Sequence, residues 1–136
     1  MNCKDYGPNP YVMNVPYEAM ENKNYRTAVW TGNNLQMTLM SIPTCGDIGL
    51  EMHADTDQFI RIEEGHAMVK MGYERNRICY EQHLSKGNVV FVPAGTWHNI
   101  INIGGRPLKI STIYAPPHHP WGTIHKTKED AARASY

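Results

Sequence analysis

Apolar and polar residues alternate with a period of two through most of the middle of this chain, in short runs separated by turn residues. Residues 25–31 (YRTAVWT) are the first such run, and Gly32-Asn33-Asn34 turns it. In residues 35–42, Leu35, Met37 and Leu39 take one face and Gln36, Thr38 and Met40 the other. The methionines read as packing, because an unbranched thioether fills irregular gaps. After the turn Pro43-Thr44-Cys45-Gly46, the pattern predicts strands over residues 48–53 and 57–63, joined by the acidic turn Ala54-Asp55-Thr56. Residues 66–71, 78–83, 89–92, a run opened by His98, and 108–114 continue the series. Strands recurring every 8 to 12 residues between Gly, Pro and Asn turns predict an all-β barrel or sandwich over residues 25–114.

The ends break the pattern. Residues 1–24 are polar, carry Gly7, Pro8, Pro10 and Pro16, and read as an extended arm with a short helical turn at 17–22. Residues 115–125, APPHHPWGTIH, form a stiff Pro-rich tail, and Thr127 with Asp130 fits a capping box that opens a short helix over 128–135. A length of 136 residues favours one domain. Charge adds exclusions: 13 basic and 13 acidic residues with no long basic run argue against nucleic acid as a partner. The N-terminus has no apolar run that would serve as a secretory signal, and no stretch approaches the roughly 20 apolar residues of a membrane span. Three scattered cysteines, Cys3, Cys45 and Cys79, with no CxxC, point to free thiols in a reducing cytoplasm. Cys45 reads as a small, half-buried residue near the candidate site.

Candidate chemistry centres on residues 87–102, GNVVFVPAGTWHNIIN. Gly87-Asn88 turns the chain, and Pro93-Ala94-Gly95 forms a tight turn because Pro presets φ and Gly tolerates positive φ. His98, Ile100 and Asn102 then share a face, which holds one imidazole at the mouth of a hairpin. The spacing of Gly87, Pro93, Gly95, His98 and Asn102 resembles the second motif of the cupin superfamily at every fixed position. The resemblance implies an all-β, double-stranded β-barrel of jelly-roll type that commonly holds a metal ion. The first motif should lie upstream as Gly, His-x-His, Glu and Gly. Here it falls on residues 46–65 with one histidine, His53, and with Gln58 in the Glu position. Two registers fit. One supplies Glu51, His53, Gln58 and His98; the other replaces Glu51 with Asp55. The first keeps both upstream ligands within one strand, whereas the second puts Asp55 in the turn. Such a mixed N/O set suits one divalent transition ion, Fe, Mn, Ni, Zn or Cu, and affinity order does not choose among them. Loss of one carboxylate to Gln58 leaves open a metal-free pocket that holds its ligand by hydrogen bonds. Asp57 should face away from Gln58, capping the turn or pairing with Arg61, or bonding a ligand histidine.

Beyond the motifs, RTAVWTG, QMTLMSIP, IGLEMHADTDQFIRIEEG and YAPPHHPWGTIHKTKEDA are similar to small bacterial single-domain cupins, some labelled mannose-6-phosphate isomerase-like. Sugar-phosphate isomerases of that fold use a fuller His/Glu set and extra basic residues; Arg26, Arg61 and Lys70 are scattered here and form no evident phosphate cradle. The resemblance implies a metal-binding cupin acting on a small polar metabolite, isomerase- or epimerase-like or dioxygenase-like. The alternative is a non-catalytic binding or sensing cupin, with a storage or scaffold role last. Cupins of this size commonly form homodimers through edge strands or exchanged N-terminal arms. His118, His119 and His125 either dock the tail across the barrel together with Trp121, or lid the pocket and offer an acid/base. Tyr80 with Gln82, or Glu81 with His83, are further candidates for polar groups in the pocket.

Overall fold

The alternation closes into two facing antiparallel sheets. The computed structural model describes residues 4–134. Helix α1 (Val15–Glu21) precedes β1 (Arg26–Thr31), β2 (Gln36–Ile42), β3 (Asp57–Glu64) and β4 (His66–Gly72). Then come β5 (Tyr80–Ser85), β6 (Val89–Val92), β7 (Trp97–Asn102) and β8 (Leu108–Ala115). A two-residue strand, β9 (Ile124–His125), and helix α2 (Lys128–Arg133) complete the order. The larger sheet runs β6-β3-β8-β2-β1-β9 and the smaller β5-β4-β7. No helix among the described residues is long and apolar enough to cross a membrane.

Register decides which side chains enter the barrel. Three interior rows cross the larger sheet: Arg26, Met40, Ile110 and Ile62; Ala28, Thr38, Thr112, Ile60 and Val90; and Gln36, Tyr114, Gln58 and Val92. They meet Ala67, Val69, Leu84 and Ile100 from the smaller sheet in one core. A fully buried aliphatic side chain contributes about 1.5–3 kcal/mol, so this apolar cluster is the main source of the barrel's stability. All three rows also bring polar groups inside: Arg26 in the first, Thr38 and Thr112 in the second, Gln36 and Gln58 in the third. On the outer face, Leu39, Val29 and Met37 pack under Ala19 and Val15 of α1.

Several expectations shift. The helical turn expected at 17–22 is a full helix beginning at Val15, because the Asn14 side chain accepts from Tyr17 N at 3.0 Å and caps it. The arm lies on its own barrel: Asp5 Oδ1 accepts from Gly7 N and Thr31 N, both at 3.0 Å, and its Oδ2 accepts from Gly122 N at 2.9 Å. Residues 48–53 are not a regular strand. Gly49 adopts φ 89°, and the segment keeps only isolated bridges, Asp47 to Ile101 and Glu51 to His98. The fifth strand starts at Tyr80 rather than at residue 78. In the tail, β9 pairs with β1 through Arg26–His125 and Thr27–Ile124, which the sequence pattern did not reveal. The Thr127/Asp130 capping box is present, and α2 ends at Arg133. Cys3 and Ser135 lie outside the described residues; Cys45 is exposed in its turn rather than half-buried, and Cys79 is also exposed.

Candidate metal centre

The turn before β7 sets the site. Gly95, at φ 83°, donates its N–H to His53 O at 2.8 Å, so the turn grips the backbone of one histidine and leads into the other. Asp57 Oδ1 accepts from Ala94 N at 2.9 Å and caps this turn. Arg61 does not pair with Asp57; it bonds Glu63 at 2.6 Å. Glu51 and His98 exchange both backbone hydrogen bonds, at 2.9 and 3.0 Å, which sets them directly opposite with side chains on one side.

Glu51 Oε1 lies 3.4 Å from His53 Nε2 and 3.5 Å from His98 Nε2. One ligand atom from each of the three residues falls within 4.8 Å of the others. His98 is fully buried, and its Nδ1 stands 3.0 Å from Thr96 O. A carbonyl only accepts, so Nδ1 carries a hydrogen and Nε2 is the nitrogen turned toward Glu51. Burial alone would push the Glu51 carboxyl up; hydrogen bonding and charge from His53 and His98 outweigh it and hold the group below the usual carboxylate range. With both Nε2 atoms unprotonated, acceptor faces acceptor around Glu51, an arrangement that only a cation, a proton or a metal ion, makes favourable.

Gln58 lies in the third interior row beside Tyr114, whose ring packs edge-on against His53 at 5.8 Å. Gln58 Oε1, His53 Nε2 and His98 Nε2 are buried and lack hydrogen-bond partners among the described residues. Orphaned buried acceptors of this kind are rare, and a metal ion is one of the few groups that satisfies several at once. The donor set therefore fits a transition ion. Asp55 is exposed in its turn, so the structure brings Glu51, not Asp55, to His53 and His98.

The tail both docks and covers. Gln36 Oε1 accepts from the N–H of His118 and of His119, at 3.1 and 2.9 Å, and its Nε2 donates to His119 O at 2.8 Å. That grip puts the His118 ring 4.0 Å from His53. Burial, then the charges of His53 and Arg26, pushes His118 down from its ordinary value. Burial with the Arg26 charge pushes His119 down to about 2. His125 sits farther in, its Nδ1 3.0 Å from Arg26 Nη1. Trp121 stays more than half exposed and anchors by donating to Gly7 O at 2.8 Å. Tyr80, Glu81, Gln82 and His83 are all exposed on β5 and contribute nothing to the site. Gln36, Arg26 and Tyr114 were missed as lining residues; the one signal was the polar face of residues 36–40, whose inward orientation alternation does not give.

Residues 38–114 match the cupin domain family. The chain is 50% identical over 131 residues to the uncharacterized protein YrkC of Bacillus subtilis (strain 168), covering 96% of this chain and 70% of YrkC. It is 42% identical over 115 residues to the uncharacterized protein L612 of Acanthamoeba polyphaga mimivirus, covering 84% of this chain and 70% of that protein. The crystal structure of BH2720 from Bacillus halodurans superposes with a TM-score of 0.96 at 48% identity, over 96% of this chain and 99% of that one. These relatives give no specific support to the mannose-6-phosphate isomerase-like label. With barrel, turn and histidine placement in agreement, this chain belongs to the cupin superfamily.

Proposed function

We propose that this cupin binds one divalent transition metal ion through His53, His98, Glu51 and Gln58 and acts there on a small polar metabolite. The observation that carries the reading is the pair of buried, unpartnered imidazole nitrogens of His53 and His98 gathered with the Glu51 carboxylate, with the unpartnered Gln58 Oε1 in the interior row of Tyr114. Two imidazole nitrogens and two oxygens suit Fe, Mn, Ni, Zn or Cu. A bound ion would polarise a ligand oxygen as a Lewis acid. The protein's own groups do the rest. Thr96 O fixes the His98 tautomer, Glu51 supplies one negative charge, and Gln58 supplies a neutral oxygen. His118, held neutral above its lowered pKa, excludes water from one side and is suited to accept a proton from a bound ligand, as isomerase- or epimerase-like chemistry needs. Dioxygenase-like chemistry would instead use open positions on a redox metal.

The second reading, a binding or sensing cupin without catalysis, is favoured by Gln58, which weakens the ligand set by one charge. As the arm is held on its own barrel, a homodimer would form through edge strands, and light scattering would show it as twice the chain mass.

Metal content by inductively coupled plasma mass spectrometry tests the main reading, on protein purified without a His tag or added metal. The native chain should carry about one equivalent of a single transition metal. His98→Ala should lose it, and Gln58→Ala should hold it more weakly. A native chain without metal that takes none up on reconstitution refutes the metal reading and leaves the binding module.

A further inference from the structure

Arg26 is a guanidinium inside the barrel with no acid beside it. It is 6% exposed and occupies the interior row with Met40, Ile110 and Ile62. Its Nη1 donates to His125 Nδ1 at 3.0 Å, its Nη2 reaches the Met40 sulfur at 4.0 Å, the guanidinium also hydrogen-bonds the Tyr114 hydroxyl, and its Nε has no partner. The Tyr25 ring lies 5.3 Å from the guanidinium carbon. Other cations of the chain do have acids: Arg61 has Glu63, Lys70 has Glu81, and Lys128 has Asp47. Among the described residues no carboxylate forms an ion pair with Arg26. A guanidinium cannot shed its proton, so burial without a counter-charge is costly and calls for an explanation.

Nε and Nη2 together form one edge of the guanidinium, the edge that grips a carboxylate with two parallel hydrogen bonds. On this edge Nε has no partner and Nη2 has the Met40 sulfur at 4.0 Å. From His125, the partner of Arg26, a run of rings leads to the histidine site: His125 to His119 at 6.2 Å, His119 to His118 at 4.7 Å and His118 to His53 at 4.0 Å between centroids. If Glu51 offsets Arg26, the charge of a divalent ion at the histidines stands uncompensated, and an anionic ligand balances it.

We propose that Arg26 determines ligand specificity by binding the carboxylate of a small hydroxy or oxo acid, with its neighbouring oxygen turned toward the histidine site. This rests on the metal-site reading and narrows its ligand. A carboxylate fits better than a phosphate. One planar fork satisfies both carboxylate oxygens, whereas the third oxygen of a phosphate would need a donor beyond the fork.

The test is isothermal titration of the metal-loaded protein with glycolate and pyruvate, their uncharged counterparts ethylene glycol and hydroxyacetone, and inorganic phosphate. Native protein, Arg26→Gln and Arg26→Lys are compared, with metal content and melting temperature measured on the same samples. The native protein should prefer each carboxylate over its uncharged counterpart by about tenfold or more. Arg26→Gln should lose that preference while keeping its metal. Arg26→Lys keeps the charge without the fork and should retain only part of the preference; if Arg26→Gln does not fold, this variant decides. Equal binding of the uncharged compounds overturns the proposal, as does an unchanged preference in a folded variant, which would mean Arg26 only clamps β9. Tighter, Arg26-dependent phosphate binding overturns the carboxylate assignment. A metal-free native protein refutes the metal reading instead, and the same titrations on that protein still decide the role of Arg26.

Discussion

Replacing Asn102 should damage both the fold and the metal site, though the residue touches no candidate ligand. Asn102 is 3% exposed at the end of β7. Its Nδ2 donates to Ile42 O at 3.0 Å, Pro43 O at 3.2 Å and Arg106 O at 2.9 Å, and its Oδ1 accepts from Gly104 N at 2.9 Å. It thereby ties the exit of β2, where the chain turns toward Glu51 and His53, to the strand that carries His98. Two amide hydrogens serve three carbonyls, so the four contacts amount to about three full bonds, and at roughly 1 kcal/mol each Asn102→Ala should cost about 3 kcal/mol. For a chain of this size that lowers the melting temperature by roughly 10 °C. Asn102→Asp keeps the shape and the bond from Gly104 but turns an anion toward three carbonyl oxygens. It should be worse than Asn102→Ala at neutral pH and recover in mild acid, where the introduced carboxyl is protonated. Urea melts at two pH values, with metal content of the same samples, check this. A loss under about 1 kcal/mol in Asn102→Ala, or an Asn102→Asp no worse than Asn102→Ala at neutral pH, would refute the reasoning.

Three further outcomes are expected. His118→Ala should retain metal on purification yet release it to a chelator about tenfold faster, since the ring covering His53 is gone while the candidate ligands stay; stopped-flow chelation reads this. Burial would push the Asp47 carboxyl up, but Lys128 and Asn99 outweigh it and hold it low. Its stabilising effect is therefore present above the ordinary Asp value and lost as pH falls through the depressed folded value, so Asp47→Asn should cost less than about 1 kcal/mol at pH 7 and progressively less as the pH is lowered through that range in urea titrations. Gly72→Ala should cost about 2 kcal/mol or more, because the added methyl would run into the backbone carbonyl of Arg77. Gly105→Ala, whose methyl meets nothing within 4 Å, should melt with the native protein and serves as its control.

What the sequence made legible was local. The turn at Pro93-Ala94-Gly95 and the inward face of His98, Ile100 and Asn102 follow from fixed φ preferences and a period of two, and both stand as expected. Residues 48–53 alternate like a strand, but alternation is blind to the positive φ at Gly49, so only the Glu51–His98 pair survives of the expected ladder. Pattern also separates two faces without saying which turns inward. Gln36 and Thr38 read as the polar side of β2, yet they face the core, each held by a specific partner: Thr38 by Thr112 at 2.6 Å, Gln36 by the tail. The meeting of Arg26 with His125 was out of reach, because it depends on pairing between strands separated by nearly the whole chain.

That pairing of β9 with β1 also says where the working unit ends. The recognisable family stretch stops at residue 114 and starts at residue 38, but Arg26, Gln36, His118 and His125 all lie outside it. A fragment trimmed to the family's edges would keep every candidate metal ligand and discard the cover, the clasp that seats it and the buried Arg26. The cover and its clasp are thus part of this barrel, although a boundary drawn on the family stretch leaves them out.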